Sequence, residues 1–343
     1  MRNGVRPRLA LVTSGFGPTL GGVGVVSAGI AEALAADADI VVWRHRPNWP
    51  PQLRGAALAV RALAALADRP DAILFTHVDL ARLMAVAPWL RGIPYGVLIY
   101  GIEVWRPLDG PRRRALEGAA ALFSISEYTV RKARESNPWL PEPRIVWLGA
   151  PEAPVDERRD VKPIALVLGR MAAAERYKGH DALIDAWPRV AQSVPGALLV
   201  IVGDGDDRGR LEARAAGQRS IVFTGFLSDA SRQELLESAA MLVSISTGEG
   251  FGLAAIEAAA CGVPVVAMKG TVTDELFPDG SGHVLLDSSD PGPLGDALVA
   301  LLTDADRARA IGAAGRRRVL DAFTTDHFNR RLRAAITPLA AAR

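Results

Sequence analysis

Short apolar runs alternate with helix-forming stretches along almost the whole chain, and few folds accept that rhythm. Leu9–Val12, Ile40–Trp43, Ala72–Thr76, Tyr95–Tyr100, Ala121–Ser126 and Ile145–Leu148 read as strands that are mainly apolar on both faces, as in a sheet covered on both sides. Between them, Gly21–Ala36, Gly55–Ala67, Leu80–Leu90, Pro111–Gly118 and Glu127–Glu135 read as helices. Strands joined through helices run parallel, with right-handed crossovers. The rhythm breaks at Pro151–Pro163, where three prolines and a run of charges suit a linker. It resumes with strands at Ile164–Leu168, Ala197–Val202, Ile221–Phe223, Met241–Ile245, Val263–Ala267 and Val284–Leu286. Helices are expected at Asp181–Ala191, Arg208–Ala216, Ser231–Ala239, Leu253–Cys261, Pro293–Leu302, Asp306–Ala322 and Thr325–Ile336. A chain of 343 residues is long enough for two α/β domains, expected over 1–155 and 162–323. The halves share this rhythm without a detectable sequence repeat.

Charge and cysteine content narrow the function. A net charge of +2 is too balanced to argue for a nucleic-acid partner. Basic clusters occur at Arg112-Arg113-Arg114, Arg316-Arg317-Arg318 and Arg330-Arg331 with Arg333. Such runs suit solvated helix faces, or contact with an anionic membrane surface. The single Cys261 excludes an internal disulfide and fits a reducing cytosol. The uncharged stretch Leu9–Ala31 superficially suggests a signal or a span. Its continuous apolar part, Leu9–Val12, is far shorter than a bilayer requires, and glycines interrupt the rest. A cytoplasmic protein, at most peripheral at the inner membrane face, is the expectation.

In open parallel sheets, ligands bind at the carboxyl ends of the strands. Ser244–Ala267 is the most informative such place: strand, loop Gly248–Gly252, helix, a turn at Gly262, strand. A loop feeding a helix N-terminus offers backbone N–H groups to an anion, here those of Phe251, Gly252 and Leu253. Glu249 and Glu257 bracket it, and each carboxylate can accept two hydroxyls side by side. One diol could be a ribose and the other a sugar. Further strand-end candidates are Gly169-Arg170, Gly203-Asp204-Gly205 and Thr224–Leu227, with Lys178-Gly179-His180 before the next helix. Arg170 and Lys178 combine a planar fork and a point charge, a sound pair for a pyrophosphate. In the first half, Gly21-Gly22-Val23-Gly24 opens a helix but lacks the dinucleotide-binding fingerprint, which disfavours a dehydrogenase.

The stretch Glu249-Gly250-Phe251-Gly252…Glu257-Ala258, with Gly262 and Pro264-Val265-Val266, resembles the E-x7-E element of retaining glycosyltransferases of GT-B family 4. Other pieces follow the family's order along most of the chain. The resemblance implies two Rossmann-like domains with parallel sheets facing across a cleft, the last helix, from about 324 to 343, packing back on the first. It makes Arg170 and Lys178 the donor-diphosphate pair and Gly203-Asp204-Gly205 the turn under the nucleotide. It places the base near Phe226 and Leu227, the sugar hydroxyls at Glu249, the ribose at Glu257, and Gly21 and Gly22 in a donor-side glycine loop. The implied reaction moves a hexose-type sugar from a UDP- or GDP-sugar to a glycan, lipid-linked or small-molecule acceptor, with retention. Charge separation at the diphosphate would rest on cations and helix N–H groups, so no metal and no cofactor is expected.

One position departs from the pattern. Many members carry His at the end of the fourth strand, where this chain has Tyr100-Gly101-Ile102-Glu103. Three readings stay open: Tyr100 orients substrate while phosphate takes the proton, His77 at the preceding strand end substitutes, or transfer is lost. His77 and Glu103 are therefore acceptor-side candidates. The competing functions are a nucleotide-sugar 2-epimerase of the same fold and a non-catalytic nucleotide-sugar binding protein.

Overall fold

The computed structural model describes residues 6–17, 21–44, 69–86, 90–152, 160–278 and 282–340. The helix expected over Gly55–Ala67 and most of the linker lie outside the described residues. The chain divides into two compact units, one formed by Met1–Leu148 with Asp326–Arg343, the other by Gly149–Thr325.

The first unit is a six-stranded sheet of β1 (Arg8–Thr13), β2 (Asp39–Arg44), β3 (Ala72–Phe75), β4 (Tyr95–Ile99), β5 (Ala121–Ser124) and β6 (Arg144–Ile145), in the order β2-β1-β3-β4-β5-β6. Every pairing is parallel. Leu9, Ala10, Leu11 and Val12 are buried, as are Ala72 to Phe75 and Val97 to Ile99, so these strands have no polar face to turn outward. Its helices are α1 (Gly21–Leu34), the short α2 (Val78–Ala81) and α3 (Leu83–Val86), α4 (Gly110–Glu117) and α5 (Glu127–Ser136). Among the described residues, the single helix expected over Leu80–Leu90 is thus two short turns with Arg82 between them.

The second unit holds β7 (Lys162–Leu168), β8 (Leu198–Val202), β9 (Ile221–Gly225), β10 (Ala239–Ser244), β11 (Val265–Met268) and β12 (His283–Leu286). Their order is β12-β11-β10-β7-β8-β9, again all parallel. The chain winds outward in one direction from β7 through β8 to β9, then returns to pair β10 on the other side of β7. The carboxyl ends of β7 and β10 therefore flank the switch point, where a crevice opens in folds of this kind. The helices are α6 (His180–Ser193), α7 (Arg208–Arg214), α8 (Asp229–Ser238), α9 (Leu253–Ala260), α10 (Val272–Leu276), α11 (Pro291–Thr303) and α12 (Ala305–Ala322). The sequence reading lacks α10 and the 3₁₀ turn Ala173–Lys178, both too short to show a period.

The last helix, α13 (Thr325–Ala340), belongs almost wholly to the first unit. Gly96 in β4 is the reason it can lie close: a Cβ there would come within 3.0 Å of Leu339 and 2.6 Å of Phe123. Arg144 donates to the Ala335 carbonyl (2.8 Å) and Arg333 to that of Ala33 (2.8 Å), tying the same helix to β6 and to the end of α1. Among the described residues, no helix is long and apolar enough to cross a membrane.

Candidate active site

The chain leaving β7 is zipped to the chain leaving β8. Gly169 N–H donates to Val202 O (3.0 Å), Met171 N–H to Asp204 O (3.0 Å), and Asp207 N–H to Met171 O (3.0 Å). Two glycines permit this approach. A Cβ on Gly203, whose φ is +135°, would sit 2.0 Å from Gly169 O, and one on Gly205 would sit 2.0 Å from Met171 O. The Gly203-Asp204-Gly205 turn thus has a backbone-packing role before any ligand is considered. Asp204 accepts from Gly205 N–H (2.7 Å) and pairs with Arg208 (3.4 Å). Just beyond β9, Phe226 is 80% exposed and Leu227 half-buried.

At the switch point the residues singled out from sequence come together. Arg170 pairs with Glu175, which lies in the 3₁₀ turn. Lys178 Nζ lies 3.4 Å from the same carboxylate and 3.8 Å from Glu249 Oε1. Two cations and two carboxylates therefore form one cluster between the ends of β7 and β10. Glu175 was not visible in the sequence as a site residue; its position depends on a break in the turn, where its φ is −118°. Burial would raise its carboxyl pKa, but the Arg170 hydrogen bond and the Lys178 charge outweigh that and hold it below the usual range.

The turn is also laced to the β10 loop. Thr247 N–H donates to Tyr177 O (3.1 Å), and the Tyr177 ring lies where a Cβ on Gly248 would be, 2.4 Å away. Burial first, then Glu175 and Glu249, push the Tyr177 hydroxyl up to about 12, so it is neutral at any working pH. His180, buried at the start of α6, is held below the ordinary imidazole range by burial and then by Lys178.

Gly250, Phe251 and Gly252 lead into α9, with Gly252 as its N-cap at φ +84°. Phe251 is buried and meets Phe323 edge-on at 6.0 Å between centroids, which anchors the loop from below. Leu253 opens the helix, whose first N–H groups have no intrahelical acceptor. Glu257, one turn on, is gripped by Arg232 from α8, a partner the sequence reading missed. The two lie 25 positions apart on different helices, so no local signal connects them.

In the first unit, Gly21 and Gly22 open α1, and the space a Cβ on Gly22 would enter is clear to 4 Å. Behind them Thr13 and Ser27 share a buried hydroxyl contact of 2.8 Å. The Tyr100 hydroxyl is buried with no hydrogen-bond partner among the described residues, and burial followed by the Glu103 charge raises its pKa beyond the ordinary phenol range. Glu103 turns back to accept from Tyr100 N–H (2.5 Å). His77 caps α2, its Nδ1 accepting from Asp79 N–H at 3.1 Å, while Asp79 pairs with Arg112 at 2.6 Å. Both Glu103 and His77 therefore have a local structural task. Among the described residues there is no group of three or more His, Cys, Asp or Glu placed to hold a metal ion.

Residues 162–304 match the glycosyl transferases group 1 family. That match spans most of the second unit. Sequence relatives extend the likeness beyond it. The chain is 32% identical over 246 residues to a GDP-mannose-dependent monoacylated alpha-(1-6)-phosphatidylinositol monomannoside mannosyltransferase of Corynebacterium glutamicum, covering 64% of each chain. It is 27% identical to the alpha-maltose-1-phosphate synthase of Mycolicibacterium smegmatis, over 93% of this chain and 96% of that one. The chain spans 64% of the Corynebacterium relative, 44% of an M. smegmatis mannosyltransferase and 40% of a Mycobacterium leprae one. Among solved structures, sucrose-phosphate synthase from Thermosynechococcus elongatus matches 98% of this chain and 100% of that one, with a TM-score of 0.81 at 21% identity. Anabaena HepE in complex with UDP-glucose matches over 97% and 100%, with a TM-score of 0.78 at 17% identity. The fold is GT-B. The Arg170–Lys178–Glu249 cluster and Glu257 lie within the matched residues 162–304.

Proposed function

We propose that the chain is a retaining glycosyltransferase that moves a hexose-type sugar from a UDP- or GDP-sugar to a glycan, lipid-linked or small-molecule acceptor. The observation that carries this reading is the convergence of Arg170, Lys178 and Glu249 at the switch point, beside the N-terminus of α9. Cleaving the sugar–phosphate bond leaves charge on the diphosphate and an oxocarbenium-like sugar. Arg170, Lys178 and the first amides of α9 meet the developing negative charge, where preorganised donors do most for the rate. Glu249 takes the sugar hydroxyls, and Glu257 the ribose. The relatives that use GDP-mannose and the neighbour crystallised with UDP-glucose support a nucleotide-sugar donor.

The reading needs neither metal nor cofactor. Incubation with a panel of UDP- and GDP-sugars and cell-extract acceptors, followed by mass spectrometry, is expected to show transfer that survives EDTA. Activity that is lost in chelator and returns with magnesium or manganese would contradict the proposed charge stabilisation. Product with inverted anomeric configuration would contradict retention.

Tyr100 separates catalysis from orientation. A phenol held above its ordinary range is a poor base, so phosphate takes the acceptor's proton in this reading. Tyr100→Phe is expected to lower kcat modestly, by the equivalent of one hydrogen bond, about 0.5–1.5 kcal/mol. A dead Tyr100→Phe would assign the tyrosine a chemical role. A wild-type chain that binds donor yet never transfers would favour the non-catalytic reading.

We also place the protein in the cytoplasm, with peripheral contact to anionic lipid through its basic clusters. Several of those arginines are engaged: Arg112 with Asp79 and Asp109, Arg113 with Glu117, Arg318 with the Leu276 carbonyl, Arg333 with Asp37. The contact should accordingly be weak, and cosedimentation with phosphatidylglycerol vesicles should vanish as salt rises. Binding indifferent to lipid charge would remove it.

A further inference from the structure

Helix α8 is tied to α9 at two points. Arg232 Nη1 pairs with Glu257 Oε2, while its Nη2 stands 3.5 Å from Oε1. The neighbouring Gln233 donates to Cys261 Sγ at 3.2 Å, and to Glu237 at 2.7 Å. Glu257 and Cys261, the residue that caps α9, are four apart, so both ties fall on one side of the helix and fix its rotation against α8. The arginine's grip is lopsided. It engages Oε2 closely and reaches Oε1 only at the limit of hydrogen bonding, and a carboxylate has room for about four donors. The guanidinium takes two of these sites, so the carboxylate keeps acceptor capacity for a pair of hydroxyls. The guanidinium is planar and permanently charged, so it holds the carboxylate both in place and in plane. An acid that must receive a vicinal diol needs just that combination, because a loosely rotating carboxylate would lose its discrimination.

We propose that Arg232 is a positioning residue for nucleotide recognition, holding Glu257 so that the site selects ribose over 2′-deoxyribose. The proposal rests on the reading of Glu257 as the ribose ligand. A site built to hydrogen-bond a hydroxyl rejects the analogue that lacks it, because its own polar group is left unpaired. Removing Arg232 frees the carboxylate to turn toward water, and the penalty for the missing hydroxyl disappears.

The test is calorimetry on the full chain with UDP, GDP and their 2′-deoxy forms. The wild-type protein is expected to prefer the ribonucleotide by about tenfold or more. In Arg232→Gln that ratio should fall to within about twofold of unity, chiefly by weaker ribonucleotide binding, while Arg232→Lys keeps part of it. Gln233→Ala, which removes the second tie, should leave the ratio unchanged, which separates positioning from general loosening of α8. A preference lost in Glu257→Gln but intact in Arg232→Gln overturns the inference and leaves the ribose reading standing. So does an Arg232→Gln variant that weakens both nucleotides equally. A preference unaffected by Glu257→Gln overturns the ribose reading and the inference with it.

Discussion

Lys178→Ala should bind the donor's nucleoside diphosphate tens-fold more weakly than the wild-type chain. The residue sits in a cluster whose two cations, Arg170 and Lys178, balance two carboxylates, Glu175 and Glu249. A diphosphate entering that balanced set makes it negative, and the two cations are what hold it. Without Lys178 the cluster is already negative before the ligand arrives, with Glu249 missing its cation and Glu175 down to one. Its side chain is only 19% exposed, so water replaces it poorly. A lost charge-assisted hydrogen bond is worth about 1.5–3 kcal/mol, or roughly 10–150-fold in affinity. Glu249→Ala should behave oppositely, keeping diphosphate affinity while kcat falls on the order of 100-fold, because it orients the sugar and not the phosphates. Calorimetry with the diphosphate and steady-state kinetics with the sugar donor check both. Equal affinity in wild type and Lys178→Ala would sink the assignment of the diphosphate site.

Gly205→Ala is expected to damage the fold of the second unit without touching a ligand contact. Its Cβ would press on Met171 O at 2.0 Å and on the carbonyl carbon at 2.4 Å, backbone against backbone, with no side chain able to move aside. Relief requires separating the chains that leave β7 and β8, breaking the Met171–Asp204 and Asp207–Met171 bonds. Overpacking of this kind costs about 3 kcal/mol or more, which lowers Tm by roughly 6–12 °C in a unit of this size. Gly203→Ala adds a backbone penalty, since its φ of +135° suits only glycine. Gly209→Ala is the control: it lies in α7 with nothing within 4 Å of the new methyl, and should be neutral or stabilising. Thermal unfolding distinguishes them, and a Gly205→Ala protein melting with the wild type would show that the loops are not zipped as described.

Sequence patterning carried the sheets well, because buried parallel strands must be apolar on both faces and Leu9–Val12 or Leu199–Val202 leave no other option. Boundaries slipped where helices are short, as where the helix expected over Leu80–Leu90 divides at Arg82 into α2 and α3. The site was legible in part. Arg170, Lys178 and Glu249 stand out as charges at strand ends, but Glu175, the carboxylate that joins the two cations, occupies an irregular turn that no periodicity announces. Arg232 escaped for a different reason. Its pairing with Glu257 depends on how two helices pack, and a contact between helices leaves no trace in local spacing. Gly203 and Gly205 carry a packing role that spacing does not reveal, because they admit the close approach of two backbones.

The first unit is built from both ends of the chain, so the second is an insertion within it. Its entry and exit are stitched together where Ala150 N–H donates to Phe323 O (2.8 Å) and Thr325 N–H to Ala150 O (3.1 Å). A domain whose two ends meet in this way can be cut out or exchanged at a single seam. Chimaeras between relatives should therefore join near 149 and 325, keeping α13 with the sheet it covers. An exchange at one junction alone would strand that helix on a foreign partner and leave Gly96 and its neighbours in β4 facing the wrong side chains.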